Sequence, residues 1–314
     1  MTRAVVFAYH NVGVRCLSVL LAHGVEVALV VTHRDRPDEA IWFESVAQLA
    51  WRHDLPTIMP DDPNDAQTHA RIAALRPEFL FSFYYRQMLA APLLALAARG
   101  AYNMHGSLLP RYRGRVPVNW AVIRGERETG ATLHRMVEKP DAGAIVAQQA
   151  VPILPDDTAA EVFAKVTVAA EMALDHVLPQ LVAGPAAHVE QDLTRGSYFG
   201  GRRPQDGRID WNADAATVHN LVRGVAPPYP GARTEIAGQP ARILRTLPQR
   251  GGRGRVGEPC LFSEDGRCFA QCADGNVLRI LEIEIGGRIL HPDELAITLG
   301  ATPIPLPTTF PSAP

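Results

Sequence analysis

N-M-H-G-S-L-L-P-R-Y-R-G-R-V-P-V-N-W, residues 103–120, starts like a strand, breaks into a loop of proline, glycine and arginine, and reaches Pro117, which suits the first turn of a helix. Upstream lies the apolar run F-L-F-S-F, residues 79–83, and downstream two strand-like runs, residues 131–137 and 144–151, flank K-P-D-A-G. An amide, an imidazole and a carboxylate therefore sit on or beside strand ends, at Asn103, His105 and Asp141. These are the parts that acyl transfer to an amine requires. Negative charge grows on the carbonyl oxygen as the amine attacks, and a fixed amide such as Asn103 can donate to it. The attacking ammonium must lose a proton, and His105 titrates close enough to neutral pH to take it. A nearby carboxylate fixes the imidazole tautomer and favours its protonated form, the task expected of Asp141. The amine is itself the nucleophile, so no serine or cysteine is needed. Taken singly, the three residues read as a turn asparagine, a satisfied loop histidine and a turn former before Gly143; only the combination points to chemistry.

Further outward, strands and helices alternate. Residues 5–9 read as a buried strand, 14–22 as a helix, 25–32 as a strand, 45–53 as a helix, 57–59 as a short strand and 66–74 as a helix closed by Pro77. After the strand at 79–83, the Ala/Leu-rich residues 90–98 read as a helix, and Gly100 leads into the strand carrying Asn103. Helices are predicted from Pro117 to residue 124 and over 159–181, the latter capped by Asp157-Thr158. The fold class expected is α/β: a Rossmann-like, mostly parallel sheet with helices on both faces and ligands at the carboxyl ends of its strands. The first turn, F-A-Y-H-N-V-G-V, has one glycine where a dinucleotide fingerprint needs three, so no NAD site is expected. Glycines, a proline and arginines over residues 191–208 mark a linker. Beyond it come a helix at 215–225 and short runs at 241–244, 256–262, 268–270 and 277–285, the pattern of a small barrel or sandwich. The domains expected are residues 1–200, residues 201–303 and a Pro-rich tail, 304–314, within an end that reads as disordered from residue 302.

At 314 residues the chain is long enough for two cores, and 47 % hydrophobic with 20 % charged residues is ordinary for globular proteins. A net charge of −2 speaks against a broad nucleic-acid footprint. Cys16, Cys260, Cys268 and Cys272 form no C-x-x-C pair, so neither structural zinc nor a disulfide framework is expected. No basic-then-apolar leader opens the chain and no apolar run nears the roughly twenty residues of a membrane span, so a cytoplasmic location without membrane insertion is expected.

The pattern N-x-H-x-S-x-L-P-x-x-x-G with a later D-x-G resembles the folate-dependent formyltransferases, which move a formyl group from 10-formyltetrahydrofolate to an amine. V-V-F-A-Y-H, F-S-F-Y-Y-R, Y-R-G-R-V-P-V-N-W, L-H-R-M-V and G-R-R-P look most like one branch, the formyltransferase half of bifunctional polymyxin-resistance proteins. That branch formylates UDP-4-amino-4-deoxy-L-arabinose in lipid A modification. The resemblance covers nearly the whole chain and implies Asn103, His105 and Asp141 as the catalytic trio, 10-formyltetrahydrofolate as formyl donor, no metal, and an OB-like barrel as the second domain. It also implies folate contacts at Gln87, Met88, Leu89, Arg115, Val137, Glu138, Lys139, Pro140 and Asp141. Gln87 and Leu89 depart from the His and Ile of the branch, and Pro140 sits directly before the aspartate, departures that backbone contacts tolerate better than side-chain contacts.

A UDP-linked amino sugar needs charge-assisted bonds to its diphosphate, for which Arg113, Arg202 and Arg203 are candidates, with Arg202-Arg203 equally readable as a solvated pair. Tyr229, Trp42 and Phe43 could stack on uracil, although core packing is the commoner use of each. The branch carries a further dehydrogenase/decarboxylase domain that is not among these 314 residues, so two expectations stand: a formyltransferase that acts alone, with a separate decarboxylase/dehydrogenase in the same pathway, or one part of a longer bifunctional protein. The sequence fixes no oligomeric state. Three alternatives stand: another nucleotide-linked amino sugar, dTDP-linked included; methionyl-tRNA formyltransferase; and a non-catalytic folate or nucleotide-sugar binding module. A tRNA enzyme should carry a basic insertion after the second strand, whereas here Asp35, Asp38, Glu39 and Glu44 outweigh Arg34 and Arg36. A binding module needs no oxyanion donor beside a poised base.

Overall fold

Apolar runs buried on both faces of their strands lie side by side in the first half of the chain. In a computed structural model, which describes residues 2–308 apart from 38, 185, 250–257, 292–293, 295–296 and 298–301, two units emerge. The first comprises residues 1–117, 128–152 and 163–200, and the second residues 118–127, 153–162 and 201–314.

In the first unit the elements are β1 (Arg3–Ala8), α1 (His10–Ala22), β2 (Glu26–Val31), α2 (Val46–Arg52), β3 (Thr57–Ile58), α3 (Ala66–Leu75), β4 (Phe79–Phe83), α4 (Ala91–Leu94), β5 (Gly100–His105) and β6 (Arg113–Gly114). After α5 (Pro117–Ile123), which belongs mostly to the second unit, come β7 (Glu128–Arg135), β8 (Ile145–Pro152), α6 (Ala159–Ala183) and β9 (Tyr198–Phe199). Seven strands form one sheet in the order β3-β2-β1-β4-β5-β7-β8. Pairing is parallel from β3 to β5 and antiparallel from β5 through β7 to β8, so the sheet is mixed but mostly parallel, as the alternation of elements predicts. On one face Val5, Phe7, Leu29, Val31 and Leu80 cluster with Ile72 of α3 and Leu93 of α4. On the alternate positions the Phe79, Phe81 and Phe83 rings stack at 5.6 Å steps.

Helix ends follow local chemistry. Asp65 caps α3 by accepting from Thr68 N at 2.6 Å, and Thr158 and Glu161 bond reciprocally at the start of α6, a capping box. At the other end of α6, the Arg99 guanidinium donates to the carbonyls of Leu181, Val182 and Gly184, the orphan acceptors of a helix terminus. The expected helix over 90–98 shortens to α4. Ala98 N donates to Pro77 O and Arg99 N to Glu78 O, so competing tertiary bonds draw the chain into β5.

The second unit carries α7 (Ala215–Val225), β10 (Ala232–Ile236), β11 (Gln239–Pro248), β12 (Cys260–Glu264), β13 (Arg267–Gln271), β14 (Val277–Ile285), β15 (Arg288–Leu290) and β16 (Ile304–Pro305). Its antiparallel sheet runs β10-β11-β14-β13-β12-β16, with β15 on β14, and register shifts along the β11–β14 pairing give it its curl. Two tight turns, Ala237-Gly238 and Asp265-Gly266, hold both central residues at positive φ, which matches the right-handed twist of the strands they join. Val218 and Val222 of α7 pack with Trp211, Ile243, Ile280 and Ile283, and the Trp211 indole N–H donates to Thr234 Oγ1 at 2.8 Å. Two expectations change here. The run predicted over 256–262 forms β12, with Val256 and Gly257 outside the described residues. The end read as disordered from residue 302 begins instead as β16, antiparallel to β12, with Leu306 buried; residues 309–314 lie outside the described residues.

Candidate active site

The β ladder brings three polar residues into one row, because Ser82 of β4 pairs with Asn103 of β5 and Asn103 pairs with His134 of β7. Period two puts His105 on the same face of β5 as Asn103. The 106–112 loop beyond β5 is braced from β7 and β8: Thr132 Oγ1 donates to Ser107 O at 2.6 Å and accepts from Leu109 N, while Gln148 Nε2 donates to Leu109 O. Between β7 and β8 the chain turns over this face, and Asp141, at φ 51°, directs its carboxylate at both imidazoles. Gly143 makes the turn feasible, since a Cβ there would lie 1.9 Å from Arg135 O. Gln191 Nε2 clamps the same turn by donating to Asp141 O and Gly143 O.

His105 is buried, and its Nε2 lies 2.8 Å from Tyr112 O. A carbonyl only accepts, so Nε2 carries the hydrogen and Nδ1 of the neutral ring keeps a lone pair. Nδ1 stands 3.6 Å from Asp141 Oδ1. Burial lowers the proton affinity of this ring, which Asp141 and the Tyr112 carbonyl partly restore. The tautomer-fixing task assigned to Asp141 thus falls to Tyr112, and the carboxylate acts by its charge. Burial alone would raise the Asp141 pKa, but His105, His134 and the Gly114 amide together hold it well below the usual carboxylate range. Gly114 N donates to Oδ2 at 2.8 Å. His134 contributes the opposite tautomer. Its Nδ1 lies 2.9 Å from Arg135 O and must donate, so in the neutral ring Nε2 accepts from the Asn103 amide at 3.1 Å; it also lies 3.5 Å from Asp141 Oδ1. With both rings neutral, His105 Nδ1, His134 Nε2 and Asp141 Oδ1 are three acceptors around one point, which attracts a proton or an ammonium group; a ring that takes the proton becomes the cation that holds the Asp141 carboxyl low. Among the described residues no group of three or more His, Cys, Asp or Glu is arranged to hold a metal ion.

A family profile for formyl transferase matches residues 15–178, and one for the formyl transferase C-terminal domain matches residues 202–299. The chain belongs to the formyl transferase family. The structure of an N-formyltransferase from Helicobacter canadensis, in complex with folinic acid and dTDP-3-aminofucose, aligns with TM-score 0.66 at 18 % identity over 89 % of this formyl transferase and 99 % of that chain. WlaRD, a sugar 3N-formyl transferase solved with dTDP and 5-N-formyl-THF, aligns with TM-score 0.67 at 17 % identity over 92 % and 99 %. HypX from Aquifex aeolicus, solved with tetrahydrofolic acid, gives TM-score 0.64 at 18 % identity over 95 % of this chain and 47 % of its own. This formyl transferase thus spans about half of HypX, and at these identities the likeness is one of fold.

The remaining predicted positions of the formyl transferase fall into groups. Leu89 is buried in the same cluster on which Met136 packs, while the neighbouring Met88 and Val137 are exposed apolar side chains. Gln87 donates to Asp61 O, and Arg115, Glu138 and Lys139 are exposed beside the half-buried Pro140. Arg113 is buried on β6 with no hydrogen-bond partner for its Nε among the described residues. Arg202, Arg203 and Tyr229 belong to the second unit. There Arg202 is half-buried with no hydrogen-bond partner for its Nε among the described residues, Arg203 is exposed, and burial pushes the Tyr229 phenol up to about 12. Trp42 and Phe43 are engaged with His10, Phe43 stacking on its ring at 4.0 Å, which favours core packing over base stacking. In the acidic segment after β2, Asp35 accepts from the Tyr9 hydroxyl and Glu39 pairs with Arg86, whereas Asp38 lies outside the described residues. Within the strand-like run 131–137 the sequence gives His134 no more than its parity on β7, and neither Gln191 nor the Tyr112 carbonyl carries a signal in the sequence.

Proposed function

We propose that this formyl transferase moves a formyl group from 10-formyltetrahydrofolate to the amino group of a nucleotide-linked sugar. The finer reading, carried by the motifs of the polymyxin-resistance branch, is UDP-4-amino-4-deoxy-L-arabinose, in lipid A modification. The observation that carries the activity is a buried imidazole, His105, whose Nδ1 lies 3.6 Å from Asp141 Oδ1, with the half-buried Asn103 amide joined to the same carboxylate through His134 Nε2. The folate and dTDP-amino-sugar complexes of similarly folded proteins support the two substrate classes.

In this reading the Asp141 carboxylate attracts the acceptor's ammonium and His105 Nδ1 takes its proton. The amine nitrogen then bonds to the formyl carbon, and the carbonyl electron pair moves to oxygen, where an Asn103 N–H donates to it. As the oxygen pair returns and the bond to the donor nitrogen breaks, His105 returns its proton to that nitrogen while the attacking nitrogen releases its second proton to solvent, giving tetrahydrofolate and the neutral formamide. Tyr112 holds His105 in the tautomer both transfers need, and Asp141 stabilises the imidazolium between them. Gln87 to Leu89, Arg115 and the 137–141 turn are assigned to the formyl donor, and Arg113, Arg202, Arg203 and Tyr229 to the nucleotide sugar.

Purified protein mixed with formyl donor and UDP- or dTDP-linked amino sugars is expected to release tetrahydrofolate, fastest with UDP-4-amino-4-deoxy-L-arabinose. Faster turnover with a dTDP-linked sugar would replace the finer reading. Turnover only with charged initiator tRNA, or with no amine, would overturn the proposal in favour of the tRNA enzyme or the binding module.

A further inference from the structure

The geometry points to His134 as a positioning residue that sets the direction of the Asn103 amide, an inference that rests on the formyl-transfer reading of the site. An asparagine amide alone on a strand can turn about its last side-chain bond and present either its oxygen or its N–H groups to a substrate. An oxyanion donor is useful only if the N–H side is fixed beforehand. His134 fixes it through two linked bonds. The Arg135 carbonyl, 2.9 Å from Nδ1, can only accept, so it commits a hydrogen to Nδ1, and in the neutral ring Nε2 is then an acceptor. The cross-strand pairing of Asn103 with His134 then places the amide nitrogen 3.1 Å from Nε2. One N–H is held there and the second is directed elsewhere, with the amide oxygen turned away from the imidazole. His134 is itself 2 % exposed, whereas Asn103 is half-buried, so the histidine reaches the substrate through the asparagine. The charged and titratable groups that face this ring are Asp141, 3.5 Å from Nε2, and His105, with ring centroids 6.5 Å apart.

The test compares full-length wild type, His134→Leu, His134→Gln, Asn103→Ala and the Asn103→Ala/His134→Leu double variant in the tetrahydrofolate-release assay. His134→Leu is expected to lower kcat at least tenfold with both KM values within about twofold, short of the roughly 10²–10³-fold loss of removing an oxyanion donor outright. His134→Gln, whose side-chain oxygen can accept from the amide, should recover most of kcat. The double variant should be no slower than Asn103→Ala within about twofold, because residues acting as one unit do not add. A His134→Leu kcat within twofold of wild type, no rescue by Gln, or a double variant that multiplies both losses, as a merely structural role would, each overturns the inference. His134→Met, lacking an oxygen acceptor, replaces His134→Leu if the latter does not fold. The side-chain amide signals of Asn103 in 15N-labelled protein need no substrate. One proton is expected downfield in wild type and His134→Gln and shifted back in His134→Leu or His134→Met, and its indifference to these changes also refutes the role. Failure of the wild type to turn over with any amino sugar would instead count against the proposed function.

Discussion

Gly143→Ala is the smallest change that should disable this site without touching a reacting group. The added methyl would lie 1.9 Å from Arg135 O and 2.9 Å from Arg135 C, where ordinary contacts begin at 3.4 Å. Arg135 cannot retreat freely, because its amide donates to Ala144 O at 2.9 Å and its carbonyl accepts from His134. Relief therefore requires the 140–144 turn to move by about 1.5 Å. Asp141, two residues away, would leave hydrogen-bond range of Gly114 N, now 2.8 Å from Oδ2, and draw back from both imidazoles. Misplacement of about 1 Å commonly costs a hundredfold in rate, so kcat should fall on the order of 10²-fold. Overpacking of this kind costs about 1–3 kcal/mol of stability, which lowers Tm by a few degrees and leaves the protein folded. Tetrahydrofolate release and circular-dichroism melting measure the two quantities on one preparation. A folded Gly143→Ala protein with kcat within about threefold of wild type would refute the claim that this turn sets the carboxylate's position.

Other outcomes follow from the same geometry. Asn103→Ala and His105→Ala should each lower kcat roughly a hundredfold or more, and near-normal turnover of the His105 variant would move proton transfer to another group. Asp141→Asn removes the charge that sustains the proton affinity of His105, so the acid limb of the kcat profile should shift to lower pH while kcat falls; an unmoved limb would rule out that coupling. Arg202→Ala should raise KM for the nucleotide sugar with kcat little changed, and an unchanged KM would remove Arg202 from the acceptor site. Burial pushes the imidazoles of His10 and His33 down to about 4. In the unfolded chain they titrate near about 6.5, so it binds more protons than the folded chain between these values. Stability is therefore complete above about pH 6.5 and declines as pH falls toward about 4. Urea midpoints should decline across this window, and less steeply in His10→Gln; equal slopes would contradict the assignment.

The first unit was legible because its strands are buried on both faces and bounded by caps and breakers that act locally: Phe79–Phe83 announces β4, Asp65 starts α3, and Pro117 starts α5. What escaped the sequence depends on partners far along the chain. The helix expected through residue 98 stops at Leu94 because Pro77 and Glu78 compete for its successors' amides, and two-residue strands such as β6 and β9 exist only through each other. At the candidate site the chemistry-bearing side chains could be named, but not the carbonyls of Tyr112 and Arg135 that decide which nitrogen of each histidine holds its hydrogen. Backbone acceptors leave no mark in residue identity. The two-residue β16 was hidden for a related reason, since Pro305 argues against a strand anywhere but at an edge, and an edge is where it lies.

That edge has a practical consequence for shortened versions of the protein. Ile304 and Pro305 shield the outer side of β12, Leu306 N donates to Pro259 O, and the Leu306 side chain is 5 % exposed. Removing residues 302–308 would bare a row of backbone donors and acceptors together with an apolar notch, the combination that invites strands of neighbouring molecules to add on. With them in place, the outermost strand on this side ends in a residue with no N–H to offer, which blunts this edge by its own chemistry.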